Sequence, residues 1–169
     1  MKFEYNDGGR AEAGYKVHAR GDCVVRAVAI ATGLPYQEVY DKVNKLASMN
    51  ERGKKKSSSR KGVYTKKDWF KEYMKSLGFI WTSTMSIGSG CKVHLRDNEI
   101  PMKGTLLVSV SKHYTVVKDG VINDIYDPSR DGDRCVYGYW AKFEGPSANN
   151  PTQNFILVNE NRGEDIEEI

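Results

Sequence analysis

The spacing of apolar positions changes near Gly78, and this change divides the sequence into a helical part and a strand-rich part. Residues 23–31 are apolar on nearly every side and are followed by Thr32 and Gly33. A run of this kind, closed by a glycine, is typical of a buried helix. Asp22 is a residue type that commonly caps helix N-termini, so we predict that it caps this one.

Two amphipathic helices are predicted after the buried one. Pro35 suits the first turn of a helix, and the residues after it repeat apolar side chains at helical spacing. The next helix is predicted to begin after Thr65, with Asp68 in an approximate capping box, and to end at Gly78. The side chains expected to face the core are Tyr36, Val39, Tyr40, Val43, Leu46 and Ala47 of the first of these helices, and Trp69, Phe70, Tyr73 and Leu77 of the second.

Beyond Gly78 the apolar residues alternate with a period of two, which predicts β-strands. Asp119-Gly120 separates two of them and favours a tight hairpin, because both residue types tolerate a positive φ. Helices first and strands afterwards predict an α+β domain in which the helix at 23–31 packs on an antiparallel sheet. The predicted strands are residues 79–85, 105–111, 113–118, 121–127, 135–143 and 155–158.

Three segments lack a regular apolar period. Residues 1–20, rich in glycine and charge, are predicted to be a loosely ordered lead-in. Residues 50–64 have low complexity and are predicted to be a flexible basic loop, and residues 160–169 form an acidic tail. The length of 169 residues is that of one ordinary domain, so all three segments are assigned to a single domain, residues 1–169.

Composition predicts a cytoplasmic protein without a membrane partner. No window approaches the roughly 20 apolar residues of a membrane span, and the N-terminus lacks the apolar stretch of a signal peptide. Three cysteines are an odd number in a chain large enough to fold without cross-links, which argues against a disulfide framework. We therefore expect reduced thiols at Cys23, Cys91 and Cys135.

Cys23 is a candidate nucleophile because of its position at the predicted start of a helix. A thiol there lies beside unpaired backbone N–H groups and the positive end of the helix dipole, and both favour the thiolate. The plainer interpretation is a small apolar residue in a core helix. Position alone does not decide between the two.

His113 is the matching candidate base. It lies between two apolar strands that are joined so tightly that it must sit at the rim of the sheet, where the start of a helix can meet it. A nucleophile needs its base within about 3 Å, and this arrangement brings together two residues distant in sequence. The alternative is an exposed histidine at a strand end.

A base works better when a third group fixes its tautomer and stabilises its cation. If Asp119-Gly120 is a two-residue loop, Asp124 faces the same side of the sheet as His113. A bulged turn would shift the register and bring Asn123 or Asp127 to that side instead. We favour Asp124 as the orienting residue.

Residues 21–27, 35–40, 113–124 and 138–140 together resemble a group of phage and prophage proteins that are similar to papain-like and bacteriocin-processing peptidases. The resemblance covers roughly residues 20 to 140. It implies a papain-like fold, a location in the host cytoplasm, and a triad in which Cys23 is the nucleophile, His113 the base and Asp124 the orienting acid.

The function implied by the resemblance is acyl transfer through a thioester, by a hydrolase that needs no cofactor and takes a protein or peptide substrate. The same fold hosts peptidases, isopeptidases, deamidases and acyltransferases, so the resemblance does not fix the substrate. Papain-like enzymes usually place Gln or Asn shortly before the nucleophile to donate to the oxyanion. Here the polar side chain in that region is His18, and the backbone N–H of Cys23 is the alternative donor.

Two other signals favour different chemistry. Cys91 and His94 could supply two zinc ligands, but a tetrahedral site needs about four and no second pair occurs at suitable spacing, so we predict no metal site. His94 remains a weaker candidate base. The basic stretch, residues 52–67, supports an alternative function without catalysis, in which the chain binds nucleic acid or an acidic host protein on a degenerate papain-like scaffold.

Overall fold

The computed structural model describes residues 1–16 and 21–142, and these form three helices and a six-stranded sheet. The predicted α+β class is confirmed. The predicted strand at 155–158 and the acidic tail lie outside the described residues. The elements are α1 (Cys23–Thr32), α2 (Tyr36–Asn50), α3 (Asp68–Ser76), β1 (Lys2–Tyr5), β2 (Ile80–Ser83), β3 (Thr105–Val110), β4 (His113–Lys118), β5 (Val121–Asp124) and β6 (Val136–Lys142).

The sheet has the strand order β1-β5-β4-β3-β6-β2. Adjacent strands in the sheet are antiparallel except at one edge, where β1 pairs in parallel with β5. The prediction of a fully antiparallel sheet is wrong there, because Lys2–Tyr5, predicted to be loosely ordered, supply a strand. Tyr5 pairs with Asp124, and the N–H of Asn6 donates to the Asp124 carbonyl oxygen at 2.9 Å. β5, which carries Asp124, is therefore held on both sides.

The hairpin between β4 and β5 has the two-residue loop that the sequence predicts. Lys118 pairs with Val121, and the two turn residues Asp119 and Gly120 have φ of 45° and 78°. Both values lie in the left-handed region that this type of hairpin turn requires. The register predicted for this hairpin is confirmed over three residue pairs, from Lys118 with Val121 to Val116 with Asn123.

The two faces of the sheet are covered by different parts of the chain. The helices pack on one face, where the fully buried Val25 and Val28 of α1 lie in the same core cluster as Tyr114 and Val116 of β4. Burying a valine side chain contributes roughly 1.5 to 3 kcal/mol, so these contacts hold α1 firmly against β4. The second face is covered by the segment that contains Leu95 and Ile100.

The predicted glycine cap at the C-terminus of α1 is confirmed, and the predicted side-chain cap at its N-terminus is not. Gly33 has a φ of 73°, and its N–H donates to the carbonyl oxygen of Ala29 at 2.9 Å, as in a glycine C-cap. Asp22 precedes the helix, but its side chain makes no capping hydrogen bond. The prediction that Asp22 is a side-chain cap is wrong, because its carboxylate binds buried cations instead.

Cys91 and Cys135 form a disulfide, so the expectation of three reduced thiols is wrong for these two residues. Backbone hydrogen bonds align their segments: the N–H of Leu95 donates to the carbonyl of Arg134, and that of Val136 to the carbonyl of Val93. The odd count reflects one pair and one free thiol, Cys23. The cysteine count thus no longer supports the predicted cytoplasmic location.

The predicted flexible loop at residues 50–64 contains no helix beyond the end of α2 and no extended strand, only an isolated bridge between Ser58 and Gly62. It is nevertheless tied to the core, because the N–H of Ser57 donates to the buried Glu51 carboxylate and the hydroxyl of Ser59 donates to the carbonyl of Tyr40. Among the described residues, no helix is both long enough and apolar enough to span a membrane.

Candidate active site

Cys23 is the first residue of α1 and the free cysteine of the chain. Its side chain is only partly buried, although the rest of the first turn is packed in the core. The first N–H groups of a helix have no partner within the helix, and they give this end a partial positive charge. The thiol therefore lies at the positive end of a well-packed helix and remains accessible.

His113 is the first residue of β4 and follows a turn of two residues, Ser111 and Lys112. Lys112 has a φ of 56°, which is uncommon for a residue other than glycine. A guanidinium N–H of Arg134 donates to the carbonyl oxygen of Ser111 and holds this turn. The turn places the buried His113 at the rim of the sheet, beside the start of α1.

The structure brings Cys23, His113 and Asp124 together. The Nε2 atom of His113 lies 2.7 Å from the Oδ2 atom of Asp124, and both side chains are buried. The imidazole of His113 also interacts with the thiol of Cys23, and each group shifts the pKa of the other. Because Nε2 is engaged by Asp124, Nδ1 is the ring nitrogen available to the thiol.

The two alternative orienting residues make other contacts. Asn123 accepts a hydrogen bond from the side chain of Asn6 at 3.2 Å and donates to the carbonyl of Val121 at 3.1 Å. Asp127 accepts from the N–H of Ser129 at 2.9 Å. Neither side chain hydrogen-bonds His113 within the described residues, because the hairpin has no bulge that would shift the register.

The pKa of Cys23 lies below its ordinary value of 9.0. Burial by itself raises the pKa of this thiol, but the interactions with His113 and with two further groups together lower it. The backbone N–H of Tyr114 and the charge of Arg26 act in the same direction. All of these groups stabilise the thiolate, which is the nucleophilic form.

The pKa of His113 shifts in the complementary direction. Burial lowers it, but the hydrogen bonds to Asp124 and Cys23 and the charges of both groups raise it to about 9. Both shifts favour a thiolate beside an imidazolium. Because the two protonation equilibria depend on each other, these pKa values belong to the pair.

A second layer of buried charge supports Asp124. Its Oδ1 atom accepts from the N–H of Ile125 at 2.7 Å and lies 3.7 Å from a guanidinium nitrogen of Arg26. Arg26 also forms an ion pair with Asp22, one turn earlier on the chain. Asp22 is further bound by Arg10 at 3.2 Å and by the hydroxyl of Tyr36 at 2.8 Å.

This network explains why Asp22 does not cap the helix. Both oxygens of its carboxylate are used by Arg10, Arg26 and Tyr36, all of them buried. A buried carboxylate needs such partners, since an unpaired charge in the interior is very costly. The residue before the candidate nucleophile therefore anchors α1 through charge.

Tyr126 covers the outer side of the pair. Its ring centroid lies 5.2 Å from that of His113 at an interplanar angle of 35°, and the tyrosine is about half exposed. Burial raises the pKa of its hydroxyl, and the negative charge of Asp124 adds to this. An aromatic side chain in this position shields the imidazole from water on one face.

The other candidates lie apart from this cluster or outside the described part of the chain. His18, the predicted oxyanion donor, belongs to the latter group. His94 is in contact with Cys91 and Glu99, at 3.7 Å and 3.2 Å, and not with Cys23. Cys91 is in the disulfide, and the described residues contain no cluster of three or more side chains suited to a metal ion.

Sequence reasoning missed Arg26, Arg10, Tyr36 and Tyr126. Arg26 did leave a signal: it is the one charged residue inside the apolar run of α1, and it lies four residues after Asp22. A charge at such a position is almost always paired. No sequence signal pointed to Tyr126, because its contact with His113 depends on the path of the chain after β5.

Comparisons of the chain with protein-family models, with curated proteins and with solved structures each give no match.

Proposed function

We propose that this chain is a papain-like cysteine hydrolase that transfers acyl groups from a protein or peptide substrate through a thioester. The observation that carries the proposal is the grouping of Cys23, His113 and Asp124, with 2.7 Å between the imidazole and the carboxylate and a mutual interaction between the imidazole and the thiol. A nucleophile, a base and an orienting acid in these relations form the general arrangement of covalent acyl transfer. A cysteine at a helix start that faces a strand-borne histidine and acid also agrees with a papain-like architecture.

In the first step the Cys23 thiolate attacks the carbonyl carbon of the substrate and forms a C–S bond. The π electrons of the carbonyl move to its oxygen, which becomes an oxyanion. The tetrahedral intermediate then collapses, and the bond to the leaving amine breaks while the His113 imidazolium gives that amine its proton. The products are the free amine, a thioester on Cys23 and a neutral His113.

In the second step neutral His113 removes a proton from water, and the resulting hydroxide attacks the thioester carbonyl. The C–S bond breaks, the carboxylic acid leaves, and the thiolate and imidazolium are restored. Another nucleophile in place of water would make the same chain an acyltransferase. Asp124 holds the Nε2–H of His113 throughout and stabilises its cation.

The oxyanion needs donors that are already in place. The backbone N–H of Cys23 is one, because the first N–H groups of α1 have no partner within the helix. His18 stays a predicted second donor outside the described residues.

The test is the pH dependence of Cys23 alkylation by iodoacetamide, followed by mass spectrometry of the peptide that contains Cys23. In the wild-type protein we expect a thiol pKa below the ordinary value, and in His113→Ala we expect that pKa to rise. A pKa that is ordinary and indifferent to His113 would contradict the proposal. The chain would then be better explained as a binding protein, whose affinity for nucleic acid survives Cys23→Ala and falls with added salt.

A further inference from the structure

The basic stretch, residues 52–67, lies against the candidate active site. Gly21, two residues before Cys23, has a φ of 101°, and a Cβ atom there would lie only 2.5 Å from the carbonyl oxygen of Arg60. At the other end of the stretch, the side chain of Thr65 lies near the hydroxyl of Tyr114, the residue after His113, and lowers the pKa of that hydroxyl. The stretch therefore lies beside the residues that lead into Cys23 and near the side chain that follows His113 in β4.

This stretch is anchored to the body of the protein. The buried carboxylate of Glu51 accepts hydrogen bonds from the N–H of Ser57 at 3.1 Å and from the indole of Trp69 at 2.9 Å. Ser59 is fully buried, and its N–H donates to the side chain of Asn44 at 2.9 Å. The position of the stretch beside Cys23 is thus fixed by buried contacts.

The charges of the stretch face solvent. It carries eight basic side chains, all of them exposed, and none forms a salt bridge within the described residues. The nearest preceding acid, Glu51, is turned inward. The eight residues are Arg52, Lys54, Lys55, Lys56, Arg60, Lys61, Lys66 and Lys67.

We infer that the basic stretch binds an acidic segment of the polypeptide substrate and delivers its acyl carbon to Cys23. The inference rests on the proposed function and names the class of substrate. A polypeptide fits better than a nucleic acid, because the neighbouring thiol acts on acyl groups. The stretch also has only one aromatic side chain, Tyr64, for base stacking.

The first test compares two alkylating reagents that differ in charge. Iodoacetate is an anion and iodoacetamide is neutral, and the ratio of their rate constants at Cys23 cancels the fraction of thiolate. The ratio therefore reports the potential beside the thiol, whereas the iodoacetamide rate alone tests the proposed function. The variant to compare with wild type replaces Arg60, Lys61, Lys66 and Lys67 by Gln.

We expect this variant to lower the iodoacetate-to-iodoacetamide ratio about threefold to tenfold at low ionic strength, since salt then screens the field of exposed charges only weakly. The difference should vanish near 0.5 M salt. The matched control replaces four lysines at the opposite end of the sheet, and its ratio should equal that of wild type. Those lysines are Lys2, Lys103, Lys118 and Lys142.

The second test asks which polyanion protects Cys23 from iodoacetamide. Poly-glutamate should slow alkylation of the wild type and of the control, and should not slow alkylation of the variant. Equal ratios in the variant and the wild type, or no protection by poly-glutamate, would overturn the inference. Protection by a DNA oligonucleotide alone would overturn it in favour of nucleic-acid binding.

Discussion

Arg26 of α1 and Asp124 of β5 form a buried ion pair, with 3.7 Å between a guanidinium nitrogen and Oδ1. The same carboxylate holds His113 through its other oxygen, and the same guanidinium holds Asp22, the residue before Cys23. One arginine thereby connects the element that carries the candidate nucleophile with the element that carries the orienting acid. The relative position of the three proposed catalytic side chains depends on it.

We expect Arg26→Met to lower the free energy of unfolding by about 3 to 5 kcal/mol, because Asp22 and Asp124 would remain buried without this partner. The free energy of unfolding of Arg26→Lys should lie between those of Arg26→Met and wild type. One ammonium group cannot hold both carboxylates as a guanidinium does. Urea unfolding at pH 7 measures both. A matched control is Arg96→Met, which removes a half-exposed arginine paired with Glu99 and should cost under about 1 kcal/mol.

The pKa of Cys23 in Arg26→Met tests whether Arg26 has more than a structural role. The positive charge of Arg26 helps to lower the pKa of Cys23. In Arg26→Met we therefore expect the pKa obtained from the pH profile of alkylation to rise. An unchanged profile in a folded Arg26→Met protein would show that Arg26 is structural only.

Asp124→Asn tests the orienting acid. The substitution keeps the size of the side chain and removes the charge that stabilises imidazolium, so the Cys23 pKa should rise towards 9.0. Loss of the acid in a triad lowers turnover by on the order of ten-thousandfold in the best-studied serine peptidase, and we expect a loss of about a thousandfold or more here. Asp127→Asn is the control, because its carboxylate binds Ser129 instead, and it should leave the alkylation profile unchanged.

The part of the site that could be predicted from sequence is the part set by local pattern. The apolar run of α1 places Cys23 at a helix start, and the Asp119-Gly120 turn fixes the register that aligns Asp124 with His113. These features depend on neighbours within a few residues. They are therefore visible in the periodicity and the turn chemistry.

The features that could not be predicted depend on contacts between distant segments. β1 forms because Lys2–Tyr5 pair with the edge of β5, which is more than a hundred residues away in sequence. The Cys91–Cys135 disulfide forms because two loops pair across 44 residues. Arg10 reaches Asp22 only after the lead-in has folded back over α1. The periodicity of apolar residues contains no information about any of these long-range contacts.

Direct titration of His113 should give a pKa of about 9. The proton NMR signal of the imidazole, assigned by its loss in His113→Ala, measures it. Cys23→Ala and Asp124→Asn should each lower this pKa, because each removes a group that stabilises the imidazolium. A titration near 6.5 in the wild type would mean that the ion pair does not form.

These directions define the pH window of turnover. Activity should rise as Cys23 ionises below its ordinary value, and it should fall as pH passes about 9, when His113 loses the proton that the leaving group needs. The profile of turnover should thus be bell-shaped. Alkylation, which needs no proton donor, should reach a plateau without a fall at high pH.

The disulfide should contribute stability and leave the thiol chemistry untouched. Closing a loop of this length stabilises a folded chain by about 2 to 4 kcal/mol. Cys135→Ser should lower the urea midpoint accordingly, and adding a reductant to the wild type should produce the same loss. Alkylation of Cys23 should stay at the wild-type rate in both cases, because the disulfide is not in contact with Cys23. A slower Cys23 in Cys135→Ser would indicate that the two regions are coupled.

Glu51 should give the stability of the protein a pH-dependent component at the acidic end. Burial raises the pKa of this carboxyl, but the hydrogen bonds from Ser57 and Trp69 and the charge of Lys67 lower it below its ordinary value of 4.5. A group whose pKa is lower in the folded state stabilises the fold above its unfolded pKa, and this contribution is lost as pH falls through the folded value. The Glu51→Gln variant lacks the carboxylate, so about two charge-assisted hydrogen bonds are absent at every pH. Its free energy of unfolding should therefore fall less between pH 5 and pH 3 than that of the wild type. Urea unfolding at both pH values measures the difference, with the exposed Glu12→Gln as the control. Equal losses in Glu51→Gln and wild type would mean that the anchor of the basic stretch does not depend on the charge of Glu51.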